Sequence, residues 1–282
     1  MDTIPFYKMS GSGNDFIIID NRLGVVDETD LSRWIEKVCR RKLSVGADGL
    51  ILIEADEVVD FKWRFYNADG GRAEMCGNGA RCAARFAYLR QIAGQTMAFS
   101  TDAGIVRAWV DQNRVKIQMT EPTALTLDQS LALKSGFLSY SAVNTGVPHV
   151  VCPTDDIESV DVVGLGRRVR NHPHFAPAGT NVNFIAPRPE GGIVIRTYER
   201  GVENETLACG TGSVAAALTE AAKNGTASPI DVLTRSGETL TVHFAAEEGR
   251  FSEVFLEGDA RVVYTGELWT DAWQYKIAGA IL

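Results

Sequence analysis

Cys76-Gly77-Asn78-Gly79-Ala80-Arg81-Cys82-Ala83-Ala84 and Cys209-Gly210-Thr211-Gly212-Ser213-Val214-Ala215-Ala216-Ala217 are two copies of one pattern, Cys-Gly-x-Gly followed by small residues. In the first copy Ala80, Ala83, Ala84 and Ala87 fall at i, i+3, i+4 and i+7; in the second Val214, Ala217, Leu218 and Ala221 do so. That spacing is one face of a helix. The other faces are small or apolar as well, with Cys82 and Phe86 in one copy and Ala215, Ala216 and Ala222 in the other. A helix apolar nearly all round has to be enclosed, and small side chains let strands approach it closely. The expected fold is therefore α/β of the α+β type: two strand-rich domains, each a mostly antiparallel sheet wrapped around a central helix that starts at a cysteine.

The flanking sequence supplies the strands. Asp15-Phe16-Ile17-Ile18-Ile19-Asp20 is a short apolar run, and residues 31–41 carry a helical pattern before Gly46-Ala47-Asp48-Gly49 turns into Leu50-Ile51-Leu52-Ile53. Phe61-Lys62-Trp63-Arg64-Phe65-Tyr66 alternates as a half-buried strand does and ends at the turn Asn67-Ala68-Asp69-Gly70-Gly71. Further strands are expected at 106–110, 115–119, 181–185, 192–198, 230–234, 240–244, 254–256 and 260–264. A chain of 282 residues favours two domains over one, and Glu121-Pro122 interrupts the pattern where a first domain, 1–119, should give way to a second, 120–256.

Bulk properties exclude several classes. A formal net charge of −8 leaves no basic excess for a polyanion, so no nucleic-acid partner is expected. No apolar run approaches the roughly 18 residues of a membrane helix, so no membrane role is expected. The first residues, Met1-Asp2-Thr3-Ile4-Pro5-Phe6-Tyr7-Lys8, lack the basic-then-apolar order of a signal peptide. Five scattered cysteines suggest reduced thiols rather than a disulfide framework. The expected location is cytoplasmic.

A thiol beside a glycine turn at a helix start becomes reactive, because first-turn N–H groups and the helix dipole stabilise thiolate. Cys76 and Cys82 stand in a Cys-x5-Cys spacing, outside compact zinc motifs, and Cys82 lies on the helix body. Cys39 and Cys152 lack a glycine-rich helix start and are expected in the core. His172-Pro173-His174 has no further ligand near it in sequence and reads as a surface loop, so no metal is expected. His149, after the turn Asn144-Thr145-Gly146-Val147-Pro148, could approach a thiol. A cysteine–histidine hydrolase needs one cysteine and leaves the second motif unexplained. Racemisation uses both: one group takes a proton from one face of a carbon while another returns a proton to the opposite face. Thiols suit both tasks, since their ordinary pKa of about 8.5 leaves thiol and thiolate accessible. The N–H groups of Gly77, Asn78, Gly210 and Thr211 would hold a carboxylate and the charge developing beside it.

Several motifs, in order, resemble the diaminopimelate epimerases over roughly residues 6–268. They are Lys8-Met9-Ser10-Gly11-Ser12-Gly13-Asn14-Asp15-Phe16, Val45-Gly46-Ala47-Asp48-Gly49, Phe65-Tyr66-Asn67-Ala68-Asp69-Gly70 with the first cysteine block, Gly146-Val147-Pro148-His149, Thr180-Asn181-Val182-Asn183-Phe184, and Tyr198-Glu199-Arg200-Gly201 with the second. The resemblance implies an epimerase independent of pyridoxal phosphate, with no cofactor, interconverting LL- and meso-diaminopimelate for lysine and peptidoglycan precursors. It implies two pseudo-symmetric domains with the site in the cleft between them, and a last strand, about 257–268, returning to the first domain. By this resemblance Cys76 and Cys209 are the acid/base thiols, Cys76 serving the L centre and Cys209 the D centre, with His149 and Glu199 assisting. Asn14 contacts the reacting amino acid end; Asn67, Asn181 and Arg200 contact the distal end. An arginine can grip a carboxylate bidentately, and an asparagine offers donor and acceptor together to a zwitterion.

Val147 departs from the Asn that many members carry, Gly49 from the Gln of some, and Ser44 from an expected Gly. The extension 269–282, with Ile277-Ala278-Gly279-Ala280-Ile281-Leu282, suits packing on the body or a homodimer interface. Two alternatives stand beside this reading: a proline or hydroxyproline racemase-like enzyme, and a non-catalytic thiol-redox or binding protein.

Overall fold

The computed structural model describes residues 3–134 and 136–275. The chain gathers into two compact units: one runs to Ile117 and resumes at Asp259, and the other is Gln118–Gly258. The first is laid down by β1 (Ile4–Gly11), β2 (Asn14–Asp20), α1 (Leu31–Cys39), β3 (Gly49–Glu54), β4 (Phe61–Asn67), β5 (Arg72–Ala73), α2 (Gly77–Leu89), β6 (Thr96–Thr101), β7 (Gly104–Asp111) and β8 (Arg114–Gln118). The second follows as β9 (Thr123–Leu133), β10 (Gly136–Asn144), β11 (Pro148–Pro153), α3 (Val162–Arg170), β12 (Asn181–Pro187), β13 (Ile193–Glu199), β14 (Asn204–Thr206), α4 (Gly210–Asn224), β15 (Ile230–Leu233), β16 (Thr239–Glu247) and β17 (Arg250–Asp259). A last strand, β18 (Arg261–Leu268), rejoins the first unit by pairing antiparallel to β1.

Strand order within each unit follows one plan. In the first, β18, β1 and β2 pair antiparallel, β2 runs parallel to β3, β3 antiparallel to β4, β4 parallel to β6, and β6, β7 and β8 antiparallel. In the second, β9, β10 and β11 pair antiparallel, β11 runs parallel to β12, β12 antiparallel to β13, β13 parallel to β15, and β15, β16 and β17 antiparallel. A parallel step needs a crossover. In the first unit α1 and then α2 supply the two crossovers; in the second α3 and α4 supply them. A short strand on the sheet, β5 or β14, precedes each cysteine helix. The duplication that the two cysteine motifs suggest is therefore carried by topology, even where the side chains have diverged.

The cysteine helices are the hubs. Ala80, Cys82, Ala83, Ala84 and Ala87 of α2 are fully buried, as are Val214, Ala215, Ala216, Ala217 and Leu218 of α4. The sheet side of the first unit contributes Ile51, Trp63, Phe65 and Phe99, with Trp63 tilted against both phenylalanines. β3 reads Gly-Leu-Ile-Leu-Ile-Glu and is buried through Ile53, as a strand covered on both faces should be. β12 is likewise buried through Ala186, and it takes two asparagines, Asn181 and Asn183, inside with it.

Several elements departed from the local pattern. β1, β5, β6, β9, β10, β11 and β14 were not expected, nor was α3. β9 and β10 mix serine, threonine and exposed positions without a clear period. α3 holds two glycines, and Gly166 packs so closely that a Cβ there would lie 2.4 Å from Tyr198 Cβ. The last strand begins at Arg261, after a break at Ala260, and runs to Leu268 rather than ending near Tyr264. Of the C-terminal extension, Trp273 packs edge-on to Trp34 and the Tyr275 hydroxyl donates to the Lys37 carbonyl at 3.0 Å. Ile277–Leu282 lie outside the described residues.

Because α4 is enclosed, volume added to it cannot be relieved toward solvent. Ala216→Leu should destabilise the protein by about 1–3 kcal/mol, measured as a lower urea midpoint with an unchanged slope.

Candidate active site

Cys76 occupies the position before the first turn of α2, in extended backbone, and its Sγ accepts from the Gly79 N–H at 3.5 Å. The thiol therefore takes the place that a serine or aspartate oxygen fills at most helix starts. Beneath it the polar groups form a chain. The fully buried Arg81 donates to Asn78 Oδ1 at 2.9 Å and to Ser12 Oγ at 2.7 Å. With Oδ1 so engaged, Asn78 Nδ2 donates to Asn14 Oδ1 at 2.6 Å, and Asn14 Nδ2 donates onward to Asp48 Oδ2 at 3.2 Å. Arg81 thus sets the polarity of both amides. The loop carrying Asn14 is clamped by Lys8–Asp15 at 2.6 Å, Arg41–Asp15 at 2.5 Å and Arg41–Asp48 at 2.9 Å. Burial pushes the Asp15 carboxyl up, but hydrogen bonds from Arg41 and Lys8 outweigh it and hold the group down at about 2.

Cys209 caps α4 in the same extended conformation, with its Sγ 3.6 Å from Thr211 Oγ1. Its surroundings differ. The residue is buried, and burial, reinforced by the Glu199 charge, pushes the thiol up to about 12 against the opposing pull of the Thr211 hydroxyl and the N–H groups of Gly212 and Thr211. Burial also raises the Glu199 carboxyl, with the Thr206 hydroxyl pulling the other way. Charge on one of these groups opposes charge on the other, so the ligand-free pair favours at most one anion. The second motif glycine is fixed by contact: a Cβ on Gly212 would lie 2.5 Å from Asn183 Oδ1 and 3.2 Å from Cys209 Sγ. The Thr145 hydroxyl donates to the Thr211 carbonyl at 3.0 Å and ties the Thr145–Pro148 turn to the helix start.

The remaining candidates fall out as follows. His149 is buried at the start of β11, its Nδ1 3.1 Å from Asn183 Nδ2, and burial with the nearby Arg200 charge depresses the ring to about 3. Asn181 uses both ends of its amide on backbone: Oδ1 accepts from the Arg200 N–H at 2.8 Å and Nδ2 donates to the Pro148 carbonyl at 3.2 Å. It thereby fixes the chain beneath Arg200, whose guanidinium donates to the Ala178 carbonyl at 3.1 Å. Asn67 is exposed at the end of β4, where its backbone closes the turn to Gly71. Gly77 and Gly210 open the two helices directly after the cysteines. Asn14, Asn67, Cys76, Gly77 and Asn78 belong to the first unit, and His149, Asn181, Glu199, Arg200, Cys209, Gly210 and Thr211 to the second.

The departures acquire causes. Gly49 has no room for a side chain, since a Cβ would lie 2.6 Å from Phe65 Cε2 and from the Tyr66 carbonyl. Val147 is half-buried beside Gly146, in the turn that precedes His149. Cys39 and Cys152 are buried thiols pushed up to about 12 by burial, and Cys82 is enclosed on the helix body. Among the described residues no group of histidine, cysteine, aspartate and glutamate could hold a metal ion. The polar groups that sequence reasoning passed over are Arg81, Asn183 and Thr197. The one available signal was Asn-x-Asn on an otherwise apolar strand, which puts two amides on the same face.

Residues 6–125 and 141–263 match the family model described as diaminopimelate epimerase. The diaminopimelate epimerase of Aquifex aeolicus is 46% identical over 283 residues, covering 96% of this chain and 100% of its own. That of Hydrogenobaculum sp. is 45% identical over 273 residues (93% and 97%), and that of Archaeoglobus fulgidus 37% over 289 residues (97% and 99%). Among solved structures, a Bacillus anthracis phenazine biosynthesis protein of the PhzF family superposes with a TM-score of 0.69 at 16% identity, covering 95% of this chain and 100% of that one. A hydroxyproline epimerase from Agrobacterium vitis gives 0.64 at 15% identity, covering 96% and 93%. At such identities the likeness is one of fold.

Glu199→Gln removes a charge that holds the Cys209 thiol up, so its thiolate should form at lower pH. Peptide-resolved alkylation of Cys209 at a fixed alkaline pH should then run faster, by on the order of three- to ten-fold. An unchanged or slower rate would separate Glu199 from the thiol.

Proposed function

We propose that this chain, which belongs to the diaminopimelate epimerase family, interconverts LL- and meso-2,6-diaminopimelate with Cys76 and Cys209 as the two proton-transfer groups. The observation that carries this reading is the pair of thiols at equivalent positions, each at the start of an enclosed helix between equivalent strands. Inversion at carbon needs one thiolate and one thiol on opposite sides. The thiolate takes the α-proton, the thiol returns one to the other face, and the two protonation states are exchanged when the product leaves. Electrons and protons balance with no external acceptor, so the proposal includes no cofactor.

The charge developing beside the carboxylate is met by the N–H groups of Gly77, Asn78, Gly210 and Thr211 at the helix starts. The height of the Cys209 pKa supports this thiol as the resting acid. A substrate ammonium brought beside it favours the anion and brings the group toward the range where it can serve as a base. Asn14 is assigned to the reacting amino acid end, and Asn67, Asn181 and Arg200 to the distal one. His149 and Glu199 are assigned to adjust the thiols.

The reaction serves lysine and peptidoglycan precursor synthesis. Among the described residues no helix is long and apolar enough to cross a membrane. A cytoplasmic location and a homodimer belong to the same proposal. The first is supported by five free thiols, the second by the exposed Val263 and Tyr264 on the terminal strand β18.

Reduced protein incubated with LL-diaminopimelate in D2O should introduce deuterium at an α-carbon as the meso isomer appears. Absence of exchange would overturn the enzyme assignment, and faster exchange with proline would move it to a proline racemase-like activity. Cys76→Ala and Cys209→Ala should each lower epimerisation by on the order of 10³-fold or more; full activity in either excludes the two-base scheme.

A further inference from the structure

The side chain of Asn183 makes three polar contacts inside the second unit. It is fully buried on β12, paired with Val151 of β11 on one side and Thr197 of β13 on the other. Its Nδ2 donates to the Val150 carbonyl at 2.9 Å, and its Oδ1 accepts from the Thr197 hydroxyl at 3.0 Å. A main-chain carbonyl can only accept, so the amide cannot be turned over without setting two oxygens against each other. In that orientation the Thr197 hydroxyl completes the set by donating to Oδ1. The remaining contact of Nδ2, at 3.1 Å, is to His149 Nδ1. An amide nitrogen only donates, so Nδ1 must accept, and a neutral ring then carries its proton on Nε2. That atom is buried and has no hydrogen-bond partner among the described residues.

We propose that Asn183, held by Thr197 and the Val150 carbonyl, is a positioning residue that locks His149 as the neutral Nε2–H tautomer. His149 then enters the reaction as a hydrogen-bond donor to an anion and not as a base. The assignment of a task to that donor rests on the proposed function; the tautomer does not. Charging the ring would place an Nδ1–H against the Asn183 N–H, and the amide cannot turn to relieve it. The neutral ring follows from this lock as well as from burial and from Arg200, the charged group whose field acts on it. Asn183 also meets the catalytic helix, since its Oδ1 is the atom that keeps Gly212 free of a side chain. One amide therefore sets both the proton of His149 and the close approach of the Cys209 motif. A neutral donor suits two-thiol chemistry. It can stabilise a thiolate or carboxylate without competing for the α-proton, whereas an imidazole base would add a third proton acceptor.

The test is a long-range ¹H–¹⁵N correlation on full-length, histidine-labelled protein at neutral pH, with His149 identified by the signals lost in His149→Gln. The expected pattern has a protonated Nε2 and an unprotonated Nδ1. In Asn183→Asp an acceptor faces Nδ1, and the proton should move there, giving either the opposite tautomer or a doubly protonated ring. Thr197→Ser keeps the hydroxyl and should keep the original pattern. An Nδ1–H tautomer in the unsubstituted protein overturns the proposal, whether or not Asn183→Asp folds. So does a folded Asn183→Asp protein with an unchanged ring. Epimerisation by Asn183→Asp should fall by on the order of 10²-fold; a moved proton with undiminished turnover overturns the donor role. If Cys76→Ala or Cys209→Ala retains activity while the tautomer is as expected, the two-base reading fails and the lock stands.

Discussion

A helix whose body is buried must still satisfy the N–H groups of its first turn. The rest of this structure depends on how α2 and α4 meet that constraint. A polar atom is needed at the cap and a nearly bare backbone just after it. Cysteine followed by glycine supplies both. At α2 the Cys76 sulfur accepts weakly from Gly79; at α4 the helix-start N–H groups pull the Cys209 thiol down, but burial and the Glu199 charge outweigh them. The alanines behind each cysteine serve enclosure, because small side chains let the strands packed on each helix approach it closely. At α4 enclosure and the helix start thus act on the thiol in opposite directions, and a larger residue at Gly212 or Ala216 disturbs the packing on which both depend.

What was legible in the sequence is what has a period. The i, i+3, i+4 spacing of small and apolar residues identified α2 and α4, apolar runs located β2 and β3, and alternation located β4. From these, with the repeated Cys-Gly-x-Gly, came the two enclosed helices and the cysteines at their starts. What was not legible depends on neighbours distant in sequence. Gly166 stands inside α3, against its helix propensity, because Tyr198 occupies the space a Cβ would need. β9 and β10 are strands because they pair with each other along most of their length, not because their residues alternate. Asn183 looks like a misplaced polar residue until Thr197, Val150 and His149 are brought against it from two other strands. Asn181 shows the opposite case: it stands in a recognisable motif, but its amide is bonded to the backbone at Arg200 and Pro148, which makes it a support for the chain at Arg200.

The two units share a strand plan and yet surround their thiols with different electrostatics. Beside Cys76 the amides of Asn78 and Asn14 run between the buried Arg81 and the ion cluster of Lys8, Asp15, Arg41 and Asp48. Around Cys209 the groups are an uncharged imidazole, an asparagine with no remaining freedom, and a carboxyl that burial pushes toward its neutral form. A symmetric pair of thiols would suffice for a substrate whose two faces present equal surroundings. On the proposed reaction the substrate is long, and its distal charged end must be held on one side only. Divergence of the two half-sites follows from that asymmetry. On the same proposal the duplicated helix start serves the chemistry common to both directions of the reaction, while the side chains around each thiol are free to differ in charge.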